Sequence, residues 1–228
     1  MNKVIVFSDA PVLLVGGATG DNTQLLQLLD EVDTVVAADS GADWCRAVGR
    51  LPDAVIGDLD SVSDETLQSL APDRVHHIAE QDSTDFDKAL RSISAPLVIG
   101  IGFLGGQIDH MLAAMTVLAR YHDRAVMLVG EEDVVLHAPP ALELSLTAGT
   151  RVSLFPMAPV SGKSTGLEWP IDGISFDPST RVGTSNRATG SISLSMETAG
   201  MLLILPVSER RQVQDALLSL GDGLWPAL

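Results

Sequence analysis

Short, wholly apolar runs alternate with helix-period segments through the first 130 residues, and nothing else in the chain constrains its fold as strongly. The runs are Val12-Leu13-Leu14-Val15, Thr34-Val35-Val36-Ala37, Ala54-Val55-Ile56, Leu97-Val98-Ile99 and Ala125-Val126-Met127-Leu128-Val129, each bounded by Gly, Asp or Pro. Such runs read as strands buried on both faces of a parallel sheet. Between them, residues 22–32 set Leu25, Leu28, Leu29 and Val32 on one helical face. Phe86, Ala89, Leu90 and Ile93 repeat that spacing, as do Ile108, Met111, Leu112, Met115, Leu118 and Ala119. Strands alternating with helices predict βαβ units in an open α/β layer.

Beyond residue 130 the pattern changes. Pro139-Pro140 ends the strand-like Val134-Val135-Leu136, and short strand candidates follow at Leu142–Leu146, Arg151–Phe155, Ser191–Met196 and Met201–Leu205. Ser208 is placed to cap a last helix carrying Val213, Ala216, Leu217 and Leu220. The expected fold class is therefore α/β, with an N-terminal open parallel-sheet (Rossmann-like) domain followed by a small all-β sandwich. The expected domains are residues 1–138, the α/β layer, and residues 141–228, the sandwich with its C-terminal helix.

Composition narrows the function. With 46% hydrophobic and 19% charged residues, the chain can bury a core and is not a disordered segment. A net charge of −16 leaves no basic stripe for nucleic acid. No apolar run reaches the about 18 residues a membrane span needs. Lys3 and the run Val4–Phe7 are followed by Asp9 too soon for a signal-peptide core, so the run reads as a first strand. The single Cys45 rules out an intrachain disulfide framework, and cytoplasm is the expected location.

The chemistry concentrates where strands should end. Asp39 follows one apolar run, Gly57-Asp58-Leu59-Asp60-Ser61 another, and Asp82-Ser83-Thr84-Asp85 opens a helix. Ligands of open α/β sheets bind outside the carboxyl ends of the strands. Three carboxylates converging without a counter-ion repel by roughly 1 kcal/mol per close pair in water and about 4 at an effective dielectric of 20. Mg²⁺ with a nucleotide phosphate relieves that repulsion. In an extended segment Asp58 and Asp60 point to one side and can share a metal, although Gly, Asp and Ser are also ordinary turn residues. Thr84 with Asp87 resembles a capping box. Asp85 in the first turn can reach the same metal, and Lys88 one turn on can meet a phosphate or a surface acid. Gly105-Gly106 before Asp109 and His110 offers backbone N–H groups to an anion, while Asp109 can equally be a helix cap. Two motif matches carry nothing. Gly100-x-Gly102-x-x-Gly105 has its first glycine inside a strand, and Gly162-Lys163-Ser164 lacks the first glycine and the helix of a phosphate loop.

In combination these segments resemble the thiamine pyrophosphokinase family. The resemblance is carried by residues 38–42, 57–61 and 82–90 and by Gly105-Gly106-x-x-Asp109-His110. It continues in Ser153-Leu154-Phe155-Pro156, Thr165-Gly166-Leu167 with Trp169-Pro170, and Ser185-Asn186. It implies an enzyme that transfers pyrophosphate from ATP to the thiamine hydroxyl, releasing AMP. It further implies Mg²⁺ on Asp58, Asp60 and Asp85, with Asp109 beside them in the catalytic set. Asp39, Gln81, Thr84, Lys88 and Gln107 are expected around the nucleotide, and Trp169, Ser185 and Asn186 near thiamine. The family's homodimer implies active sites at the interface. Gln107 stands where Arg is common, Asp43 where Asn is, and Ser40 where Gly is. A pyrophosphokinase for another hydroxymethyl heterocycle such as a pterin, a non-catalytic nucleotide- or thiamine-binding module and a Mg²⁺-dependent nucleotide hydrolase are the alternatives.

Overall fold

The structure, a computed structural model, describes residues 4–18, 20–221 and 223–227. Lys3, weighed above as part of a leader, lies outside them. The chain divides into two compact units, residues 1–117 with 128–131 and residues 118–127 with 132–228.

The first unit begins with β1 (Val6–Phe7), β2 (Val12–Val15), α1 (Asn22–Leu29), β3 (Thr34–Ala38), α2 (Gly41–Ala47) and β4 (Ala54–Gly57). It continues with α3 (Asp64–Ser69), β5 (Val75–His77), α4 (Asp85–Arg91), β6 (Ile93–Ser94) and β7 (Val98–Ile101). Then come α5 (Ile108–Arg120) and β8 (Val126–Val129), both of which run across the division. Strands β7, β2, β3, β4 and β5 pair in that order, all parallel. Every residue of β2 and β4, and every residue of β3 but Thr34, is buried, so helices must cover both faces. Asp21 caps α1 by accepting the Thr23 N–H at 2.8 Å. Thr84 caps α4 in the same manner through the Asp87 N–H at 3.3 Å, as its spacing predicts. β1 pairs with β6 in a separate parallel two-stranded sheet.

The second unit holds β9 (Asp133–His137), β10 (Ala141–Leu144), β11 (Arg151–Pro156), β12 (Val160–Leu167), β13 (Ser175–Phe176), β14 (Gly183–Met196) and β15 (Met201–Pro206). α6 (Arg210–Ser219) follows. Every pairing among these strands is antiparallel. β14 is long enough, at 14 residues, to pair with β10, β11 and β12 along its length. Ser208 does not cap α6. The residue at the cap is Glu209, which makes no side-chain cap bond, and Ser208 sits in a 3₁₀ turn, Val207–Glu209, before it.

The expected fold class is corrected by the strand order. An N-terminal Rossmann-like parallel domain followed by a separate sandwich does not form. Thirteen strands instead belong to one mixed sheet, in the order β13-β12-β14-β11-β15-β9-β8-β7-β2-β3-β4-β5 with β10 on β14. The fold is β-rich. The change of pattern near residue 130 marks a change from parallel to antiparallel pairing, not the end of a sheet. Apolar runs and alternation tell which residues are extended, but an open sheet edge can accept any further strand, and mixed sheets are common.

Candidate active site: a cluster of carboxylates at the strand ends

The register of β3 against β4 pairs Ala38 with Ile56, so both strands finish side by side. The first residues beyond them are acids: Asp39 directly after β3, Asp58 directly after β4. Gly57 makes their approach possible. A Cβ there would lie 3.1 Å from the Asp39 Cβ and 3.1 Å from Asp85 Oδ1, tight against both.

Two turns aim the side chains. Asp39 has φ 47° and Leu59 φ 64°, both in the left-handed region. Asp is enriched there, but Leu is not, and left-handed backbone costs an ordinary residue roughly 1–2 kcal/mol. Packing of the Leu59 side chain against the cluster of Ala37, Ala42, Val55, Val62 and Leu70 helps offset that cost. The segment is thus a turn rather than the extended stretch expected of it, and Asp58 and Asp60 still meet. Oxygens of Asp39, Asp58 and Asp60 all lie within 4.8 Å of one another, a spacing suited to one metal ion.

Asp39 is the buried member, 5% exposed, and its Oδ1 has no hydrogen-bond partner among the described residues. Burial is the main cause that raises its pKa. The Ser40 N–H opposes this, and repulsion from Asp85, Asp58 and Asp60 adds to it. A buried carboxylate oxygen without a donor, beside two further carboxylates, fits a hard divalent cation.

Opposite this trio stands a lysine. Lys88 Nζ lies 3.1 Å from Asp58 Oδ2 and 3.0 Å from Asp85 Oδ1, and its side chain is 1% exposed. Gln81 Nε2 donates to the same Asp58 oxygen at 3.1 Å. Desolvation works against ionisation of Asp58, but hydrogen bonds from Lys88 and Gln81 outweigh it and lower the pKa. For Lys88 burial opposes the charge, and the two carboxylates more than restore it, so its pKa is raised. The backbone N–H of Asp58 also reaches Asp85 Oδ1, at 3.4 Å.

A second acid braces the site. Asp43, in the first turn of α2, accepts the Ser63 N–H at 3.0 Å and both the Ser63 and Thr66 hydroxyls. It therefore ties the helix after Asp39 to the start of α3, just beyond Asp60. Nothing in the sequence spacing singles out this bond. The remaining members of the expected set in this unit are exposed. Gln107 and Asp109 sit at the start of α5, after Gly105 and Gly106 with φ 119° and 68°, and Asp109 Oδ1 accepts the His110 N–H at 2.9 Å.

In the second unit, Trp169 and Asn186 are joined twice. The Trp169 N–H donates to Asn186 Oδ1 at 3.2 Å, and Asn186 Nδ2 donates to the Trp169 carbonyl at 2.7 Å. Asn186 is buried, whereas Trp169 is 54% exposed. Ser185 has φ 61°, and its N–H donates to Ser153 Oγ at 2.9 Å. The indole is thus half exposed on a backbone segment held by two hydrogen bonds to Asn186.

Carboxylates gathered at the ends of parallel strands, their oxygens within 4.8 Å of one another, could hold a metal ion between them. A family model for the thiamin pyrophosphokinase catalytic domain matches residues 25–129. Thiamine pyrophosphokinase 1 of Arabidopsis thaliana is 28% identical over 155 residues, 59% of this chain and 58% of the relative. Thiamine pyrophosphokinase 3 of Oryza sativa subsp. japonica is 26% identical over 179 residues, 70% of this chain and 67% of the relative. The chain thus spans under three fifths of the Arabidopsis protein's length. The crystal structure of thiamin pyrophosphokinase from Geobacillus thermodenitrificans matches with a TM-score of 0.70 and 25% identity, covering 86% of this chain and 96% of that one. The yeast enzyme matches in fold, at a TM-score of 0.73, 17% identity and coverage of 93% and 89%.

Proposed function

We propose that this protein is a Mg²⁺-dependent thiamine pyrophosphokinase, converting thiamine and ATP to thiamine pyrophosphate and AMP. The observation that carries the proposal is the carboxylate trio of Asp39, Asp58 and Asp60 within the segment that matches the family's catalytic domain. Residues 1–138 serve the nucleotide and residues 141–228 serve thiamine. The enzyme acts as a cytoplasmic homodimer whose active sites lie at the interface. No helix among the described residues is long and apolar enough to cross a membrane.

The thiamine hydroxyl oxygen attacks the β-phosphorus of ATP in line. An O–P bond forms there, the bond from the β-phosphorus to the bridging oxygen breaks, and AMP departs with that oxygen. Chemistry of this type depends chiefly on positioning and charge stabilisation. Asp58 and Asp60, with Asp39 and Asp85 beside them, would hold Mg²⁺, which would supply positive charge to neutralise the phosphates. Asp85 or Asp109 takes the hydroxyl proton. Gln81, Thr84, Lys88 and Gln107 line the nucleotide. Gln107 brings a neutral amide where an arginine would bring charge, so it orients phosphate without neutralising it. Trp169 stacks on the thiamine cation, supported by Asn186 and Ser185.

The test is product analysis. Purified protein is incubated with ATP, Mg²⁺ and thiamine, and AMP and thiamine pyrophosphate are separated by chromatography. Equal amounts of both, absent when any one addition is omitted, are expected. AMP or ADP formed without thiamine would overturn the proposal in favour of a hydrolase.

A further inference from the structure

The acidic site carries a cation of its own. Lys88 is buried to 1% exposure on the second turn of α4, and its ammonium touches Asp58 Oδ2 and Asp85 Oδ1 at 3.1 and 3.0 Å. Burying an ammonium is costly unless carboxylates replace its water, so the contact is a built feature and not a surface pairing. Asp58 is shared. Its Oδ2 accepts from both Lys88 and Gln81, while Asp58 also belongs to the trio with Asp39 and Asp60. A divalent ion bound to that trio therefore meets Lys88 as a neighbouring positive charge and a rival for Asp58.

We infer that Lys88 is a positioning residue, a resident counter-ion that holds Asp58 and Asp85 together when no metal is bound and weakens the site's grip on Mg²⁺. The inference rests on the reading that Asp58 and Asp60 hold the metal. Its functional sense is exchange. A pocket with several carboxylates and no cation would retain Mg²⁺ after the product leaves. A lysine that reclaims Asp58 lets the ion come and go with its phosphates.

Mg²⁺ binding to the nucleotide-free protein reads this without involving phosphate. Calorimetric titration and Mg²⁺-dependent thermal shifts are compared for the unaltered chain, Lys88→Met, Lys88→Gln and Lys88→Arg, with circular dichroism to check folding. Both neutral variants should bind Mg²⁺ roughly tenfold more tightly, because a like charge a few ångströms from the ion has been removed. Lys88→Arg should return the affinity toward that of the unaltered chain. Turnover should fall in the neutral variants while the metal binds better, a combination that a packing defect does not produce. A Lys88→Met chain that folds only when Mg²⁺ is added supports the inference, since the metal then replaces the missing charge. If Lys88→Met fails to fold under any condition, Lys88→Gln, which keeps a donor for one carboxylate, decides. Folded neutral variants with unchanged or weaker Mg²⁺ affinity would overturn the inference alone. Absence of Mg²⁺ binding in every chain would overturn the metal reading beneath it.

Discussion

Asp58 is the residue on which most of the site converges. It accepts from Lys88 and Gln81 and has an oxygen within 4.8 Å of oxygens of Asp39 and Asp60. Asp58→Asn keeps the shape and removes the charge, leaving Lys88 to pair with Asp85. Turnover should fall by at least two orders of magnitude, in the range seen when a preorganised electrostatic contact is removed, while the circular dichroism spectrum stays unchanged. Near-normal kcat at saturating Mg²⁺ would remove Asp58 from the proposed metal site. Trp169→Ala makes a different cut. The side chain is half exposed, so its loss should leave the fold intact. A stacked cation is worth about 1–2 kcal/mol when desolvated, so KM for thiamine should rise about 5- to 30-fold with KM for ATP unaffected. A pterin-directed enzyme would show no such selectivity.

Elements deliver these residues, and here the sequence was informative up to a definite point. The apolar runs at residues 12–15, 34–37 and 54–56 form strands, and the acids after the last two do sit together at their ends. The turn through Leu59 was not legible, because left-handed φ at a leucine follows from tertiary packing and not from local preference. Lys88 was readable as a helix residue near Asp85, but its burial depends on which strand end α4 faces. β5 and β12 went unseen. Val75–His77 is only three residues long, and Val160–Leu167 is rich in Gly, Ser and Thr, which read as loop. Asp43 shows what its element-level bond is worth. Desolvation opposes its charge, but the Ser63 and Thr66 donors prevail and lower its pKa below 3.8. A depressed carboxyl pKa stabilises the folded state above the unfolded value and loses that contribution as pH falls through the folded one. Asp43→Ala should cost about 1–2 kcal/mol near neutrality in denaturant unfolding. The difference from the unaltered protein should shrink in acid, and a constant difference at every pH would contradict this role.

At the scale of the whole chain, each of the two units has its own sensitivities. In the second, His137 is buried, and its Nε2 accepts the Gly200 N–H at 2.8 Å, so the ring is neutral with its proton on Nδ1. Burial, with His122 nearby, depresses its pKa from 6.5 to about 4. The stability this confers is complete above 6.5 and is lost as pH falls toward 4. Melting temperature should decline through that window, and His137→Gln should flatten the decline; an equal slope in both chains would contradict the assignment. The mixed sheet explains why the architecture differs from the expectation although most of the longer apolar runs do form strands. Pattern identifies extended segments, whereas the partner of each edge strand is settled only when the whole chain folds.

The most direct measurement follows the phosphorus. ATP labelled at the β-position is turned over with thiamine and Mg²⁺, and the label is located by chromatography of the products. Transfer of an intact pyrophosphoryl group puts all of it in thiamine pyrophosphate and none in AMP. Label in ADP or inorganic phosphate, with thiamine unmodified, would contradict the assignment of this site to pyrophosphoryl transfer.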